Sequence, residues 1–233
     1  MPYVVGLYHI LLYNLACTML RYLQDGPVVF LAVTVALLVA ITVHEFAHAW
    51  TAVRLGDPTP RLQKRLTLNP LAHLDLMGTV MLFLIGFGWG KPVQFDPYNL
   101  ENPRRDAAII SIAGPISNLI MASLFSIILR VSLMPFSPIG FLSGIIPPFI
   151  ILNIVLAVFN LVPVHPLDGG KILVGLLPHK EAVKADYFMN RYGIIILFFL
   201  IFPIWGGGSP VFAILSPLIN FLMGVYIPTG LYV

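Results

Sequence analysis

The sequence predicts an all-α polytopic membrane protein: about six transmembrane helices, one of them broken, with a short re-entrant β-hairpin. Three observations predict it. The 233 residues are 58% hydrophobic and only 10% charged, with a mean hydropathy of +0.92, well outside the range of a soluble globular domain. Apolar runs close to the roughly 20 residues of one bilayer crossing recur along the chain. Basic residues then gather in particular connections: Arg54, Arg61, Lys64 and Arg65; Lys91, Arg104 and Arg105; Lys171, Lys180, Lys184 and Arg191. Those are eleven of the thirteen Lys and Arg, and the positive-inside rule assigns all three connections to the cytoplasmic face. A net charge of +3 spread over loops rather than along a stripe argues against a nucleic-acid partner.

Taken in order, the crossings fall near Tyr3–Leu20, Val28–Val53, Ala107–Leu129, Ile145–Leu177, Tyr187–Trp205 and Val211–Ile227. The first reads as a retained helix, because no basic residue precedes it and Arg21 follows it. The connections around Ser132–Gly144 and Gly206–Pro210 carry no charge and read as the opposite face, which puts both termini in the cytoplasm. Cys17 has no partner in the chain, so disulfides play no part. The whole of 1–233 reads as a single integral membrane domain.

Met77–Trp89 is apolar but too short to cross as a helix, and basic loops flank it on both sides. An odd number of crossings there would place one basic loop outside. The piece therefore enters and leaves by one face, and Gly78, Gly86, Gly88 and Gly90 followed by Lys91-Pro92-Val93 suit a strand-turn-strand hairpin. A short helix in the membrane interface is the alternative.

Polar chemistry concentrates in two of the apolar runs. His44-Glu45-Phe46-Ala47-His48 ends the second crossing, and residues four apart lie on one helix face, so both imidazoles can point at one ion with Glu45 beside them. A carboxylate at membrane depth costs on the order of 3 kcal/mol, which argues for a partner. The fourth predicted crossing contains Asn160-Leu161-Val162-Pro163-Val164-His165-Pro166-Leu167-Asp168-Gly169-Gly170. Pro163 and Pro166 cannot continue a helix, so the chain should unwind after Asn160 and restart near Leu167. Unwound backbone within a membrane marks a site.

Asp168 is the other acidic residue at that depth, and a zinc ion on two histidines lacks a third protein ligand. The depths agree: His44 lies 16 residues past Val28 and Asn160 15 past Ile145, which puts both in the cytoplasmic third of the core. His165 is the second choice for that ligand. His73, in a predicted surface turn, reads as structural, and His9 and His179 are assigned no role. In the third crossing, Gly114-Pro115 permits close approach of another element, and Asn118 needs a hydrogen-bond partner, either as interhelical glue or within the site.

With these motifs in hand, the chain resembles the site-2 protease family of intramembrane zinc metalloproteases from about residue 28 to 177, the catalytic core. The pairing of H-E-x-x-H with N-x-x-P-x-x-x-L-D-G, in that order and each in an apolar segment, carries the resemblance. It implies one Zn2+ per chain held by His44, His48 and Asp168, with Glu45 as catalytic base and the broken helix at the active site. Asn160, and after it Asn118, are the candidates to hold the substrate backbone or the oxyanion. The resemblance also implies a transmembrane protein as substrate and a strand hairpin near the site, which fits Gly78–Val93; an exposed edge in the Thr79–Gln94 region would pair with an unwound substrate by strand addition. The setting it implies is a multi-pass protein of a prokaryotic cell membrane with the site toward the cytoplasm. His165 stands where many relatives have proline, and no loop is long enough for a PDZ or CBS domain, so this reads as a minimal member. A metal-ion transporter or proton relay is the rival, since intramembrane His, Glu and Asp also mark ion pathways, but no internal repeat or polar trail is visible.

Overall fold

Alanine at every fourth position decides how the first described helix packs. The computed structural model describes residues 26–85, 88–202 and 209–228. Helix α1 (Pro27–Arg54) begins with a proline at a position where the missing N–H costs nothing. It buries one stripe, Ala32, Ala36, Ala40, His44, His48 and Ala52, at i, i+4 spacing. Small side chains on a membrane-type helix let neighbouring backbones approach, which is how such helices associate when lipid is as apolar as protein. The stripe carries the two imidazoles into the interior.

Helix α2 is Leu76–Ile85, α3 Pro103–Ser132, α4 Pro147–Asn160, α5 Asp168–Leu176, α6 His179–Ile201 and α7 Pro210–Tyr226. The shortest of the large apolar helices, α4, sits at the centre. Its Ile150, Ile151, Ile154 and Val158 pack with Val33 and Ala36 of α1, Ala122 and Leu129 of α3, and Ile219 and Met223 of α7. A helix enclosed on all sides can be apolar all round. Helices α1 and α3, 28 and 30 residues, are long and apolar enough to cross a membrane, matching the second and third predicted crossings. The first predicted crossing, Tyr3–Leu20, with His9, Cys17 and Arg21, lies outside the described residues.

The break in the fourth apolar segment appears where the prolines require it: α4 stops at Asn160 and α5 restarts at Asp168. Two glycines make the restart possible. A Cβ on Gly169 would lie 2.3 Å from the Val162 carbonyl oxygen, and one on Gly170 would lie 2.7 Å from Nδ1 of His165.

The hairpin expectation is corrected. Among the described residues there is no strand, and Leu76–Ile85 is helical. Asp75 starts it, accepting the Gly78 N–H at 2.8 Å on its side chain, while the Thr79 hydroxyl bonds the Asp75 carbonyl at 2.6 Å. Leu and Met fill half of this segment, and of the four glycines that suggested a turn only Gly78 lies within it while Gly86, Gly88 and Gly90 come after it. The chain does return to where it left. Lys91 donates its N–H to the His73 carbonyl at 2.8 Å beside an antiparallel bridge between Leu74 and Gly90, while Phe83 reaches Phe30 near the start of α1.

The last two predicted crossings fall on α6 and α7, and among the described residues neither is one of the helices long and apolar enough to cross a membrane. Val211 joins Val162, Leu197 and Ile201 in one cluster, and Phe212 stacks on Phe159, so α6 ends and α7 begins beside the C-terminal end of α4. The far end of α7 lies beside the C-terminal end of α3: Ser126 donates to the Tyr226 carbonyl at 2.5 Å and Arg130 to that of Val225 at 2.9 Å. The first turns of α6 line a pocket with Asn102–Arg105, at the start of α3. Both ends of α6 thus lie toward the same end of the bundle, and α7 alone traverses it. Mean hydropathy places an apolar segment but not the direction in which it runs.

Candidate metal centre

His44 and His48 leave α1 one turn apart and meet Asp168 at the first position of α5. The Nε2 atoms of His44 and His48 lie 3.1 and 3.2 Å from Oδ2 of Asp168. Four ligands at about 2.0–2.1 Å around a tetrahedral zinc stand roughly 3.3 Å apart, so this spacing fits. Among the described residues these three are the cluster that could hold a metal ion, with ligand atoms all within 4.8 Å of one another. Space for it comes from Gly114 of α3, where a Cβ would lie 2.5 Å from Nε2 of His48 and 2.6 Å from Cε1 of His44.

Both imidazoles are held from behind. Nδ1 of His48 donates to the Ile110 carbonyl at 2.7 Å, and Nδ1 of His44 to Oδ1 of Asn118 at 2.6 Å. With the proton on Nδ1, the Nε2 lone pair faces the cluster, the tautomer a metal needs. Asn118 is fully buried, and its amide nitrogen donates to the Ala40 carbonyl at 3.0 Å and to Oδ1 of Asn153 at 2.7 Å. Its polar atoms are engaged within the protein, so of the two roles the sequence offered, the geometry gives hydrogen bonding between helices in support of His44.

Glu45, beside His44, is half-buried, and its Oε2 accepts the N–H of Val93 at 2.9 Å. Val93 belongs to the extended segment that follows α2 and returns past the site. Arg65, buried, donates to the carbonyls of Ala72 and Pro92 and holds the same segment. Asp57 fastens its far end: Oδ1 accepts the N–H and hydroxyl of Thr59 and the Asn99 amide, and Oδ2 accepts the Asp96 N–H at 2.7 Å. Burial pushes the Asp57 carboxyl up, but these Thr59, Asn99 and Asp96 donors outweigh it and hold it below the usual carboxylate range.

Asn160, at the end of α4, turns its amide nitrogen back onto the Leu156 carbonyl at 3.0 Å. His165, the second choice for a ligand, points its Nε2 to Asp186 of α6 at 3.1 Å. His73 is not on the surface: it is 0% exposed, with Nε2 bonded to the Thr67 carbonyl. Sequence reasoning missed Val93 and Asn153. Asn153 gave the same signal as Asn118, a lone amide in an apolar run, whereas a backbone N–H such as Val93's has no sequence signal.

The model for peptidase family M50 matches residues 32–145 and 139–200. A Bacillus subtilis protein named "Putative zinc metalloprotease YwhC" is 39% identical over 191 residues, covering 80% of this chain and 84% of its own. Proteins named "Putative zinc metalloprotease Rip2" from Mycolicibacterium smegmatis and Mycobacterium tuberculosis H37Rv are 32% and 34% identical, each covering 74% of this chain and 67% of their own. No solved structure matches the chain. The chain belongs to peptidase family M50, the site-2 protease family, and is a zinc metalloprotease.

Proposed function

We propose that this protein is an intramembrane endopeptidase that hydrolyses peptide bonds within or near transmembrane segments of membrane proteins, as in regulated intramembrane proteolysis. One observation carries the reading: two imidazoles and a carboxylate converge with the Glu45 carboxylate next to His44 in sequence, on a helix apolar enough to cross a bilayer. His44, His48 and Asp168 are the proposed zinc ligands. When bound, zinc supplies a Lewis acid that brings the pKa of a water toward about 7 and polarises the scissile carbonyl.

Glu45 is the proposed general base. With Oε2 held by Val93, Oε1 is the oxygen that takes the proton and later returns it to the leaving amine. Asn160 is the candidate to hold the substrate backbone or the oxyanion, which requires its side chain to leave Leu156. Residues 1–233 act as one catalytic unit, with the core at about 28–177. The grouping of basic loops supports a multi-pass protein with its site toward the cytoplasm, and the bacterial relatives support a prokaryotic cell membrane.

A substrate helix must unwind to present a peptide group, leaving donors and acceptors unpaired at several kcal/mol each in hydrocarbon. The extended segment around Trp89–Gln94 is the element against which such a strand could pair. Substrates with Gly, Pro or Asn near the cut lose less helix energy and should be preferred. The test incubates purified protein with single-span substrates. Wild type cuts in the cytoplasmic half of a span with helix-weakening residues and Glu45→Gln does not; efficient cutting of an unbroken poly-Leu span would overturn the substrate model.

A further inference from the structure

The two histidines of the centre are oriented by partners of different kinds. His48 faces a backbone carbonyl, which can only accept, so its Nδ1 must carry the proton. His44 faces a carboxamide, which accepts through one end and donates through the other. Turned over, Asn118 would present N–H to His44 Nδ1 and force the proton onto Nε2, where it would block a metal. The orientation of Asn118 is therefore part of the site.

Two groups set that orientation. One is the Ala40 carbonyl, which a helix already uses as the acceptor for the His44 N–H four residues on. The other is Oδ1 of Asn153, at 2.7 Å the closer of the two. Asn153 can offer an oxygen because its own Nδ2 is fastened to the Phe149 carbonyl at 2.7 Å, one turn back in α4. Asn153 and Asn118 are both 0% exposed, and each takes the hydrogen bonds named here from within the protein. The bonds run in one sense from the Phe149 carbonyl through Asn153 and Asn118 to Nδ1 of His44.

We propose that Asn153 is a positioning residue for the metal centre, fixing the His44 tautomer through Asn118 from a helix that contributes no ligand. This rests on the assignment of His44 as a ligand. Apolar Asn153→Leu keeps the branching of the side chain and removes the acceptor. Asn153→Asp keeps an oxygen toward Asn118.

The experiment measures zinc affinity of the purified full chain by chelator competition, and the visible spectrum of the cobalt-substituted protein. Asn153→Leu should weaken zinc about tenfold and alter the cobalt spectrum, within the range by which partners behind a ligand act. Asn153→Asp should stay within about threefold of wild type on the same scale. His44→Ala separates the two assignments. If it binds zinc as wild type does, the ligand assignment fails. If it loses zinc while a folded Asn153→Leu keeps wild-type affinity and spectrum, or while Asn153→Asp loses as much as Asn153→Leu, the positioning role fails. Should Asn153→Leu not fold, Asn153→Ala takes its place with the same expected loss, and unchanged affinity in it overturns the proposal.

Discussion

The backbone N–H of Val93 donates to Oε2 of Glu45 at 2.9 Å, across 48 residues of sequence. A hydrogen bond to a charged group contributes about 1.5–3 kcal/mol, enough to fix which carboxylate oxygen is free to move a proton. Val93→Pro removes the donor and should lower kcat about tenfold with zinc content unchanged. Val93→Ala keeps the N–H and should retain most activity. Equal loss in both variants would show that the side chain matters and not the bond.

Ligand and base should separate by metal analysis. Glu45→Gln should keep one zinc per chain and lose hydrolysis by about 10²–10⁴-fold. Asp168→Ala should weaken zinc by more than about 100-fold, beyond what outer partners cost. Gly114→Ala, whose Cβ would lie 2.5 Å from Nε2 of His48, should also lose the metal. His165→Ala should keep it, since that imidazole is committed to Asp186. Zinc loss in His165→Ala with full retention in Asp168→Ala would reverse the assignment.

Asp57 makes stability depend on acid. Its folded pKa lies below the ordinary value near 3.9, so the contribution is fully present above that value and is lost as pH falls through the folded one. Asp57→Asn puts an amide N–H against donors and should cost about 2 kcal/mol near neutral pH. Thermal melts from pH 7 to pH 3 should show the gap between wild type and variant closing only at the acid end. A gap that closes between pH 7 and pH 5 would point to a different group.

Topology is open to labelling. Cysteines replacing Ala72 and Asn99, on loops tied together through Arg65 and Asp57, should react from one face of sealed vesicles. A cysteine replacing Pro228, just past the end of α7 that meets Arg130, should react from the other. Labelling of Pro228→Cys from the same face as Asn99→Cys would restore the six-crossing arrangement.

The sequence by itself determined what depends on local chemistry. Four-residue spacing put His44 and His48 on one face, Pro163 and Pro166 broke the helix between Asn160 and Asp168, and an acidic residue at membrane depth required a partner. Each follows from covalent geometry or the cost of buried charge, which neighbours cannot change. Only the tertiary structure decided which N–H meets Glu45, which way Asn118 faces, that Leu76–Ile85 is helical and that α7 runs parallel to α3. Apart from the helix that Asp75 starts, those depend on partners 35 to 103 residues away in sequence. An apolar run carries no direction and an amide does not reveal which end it presents, so long-range packing has to choose.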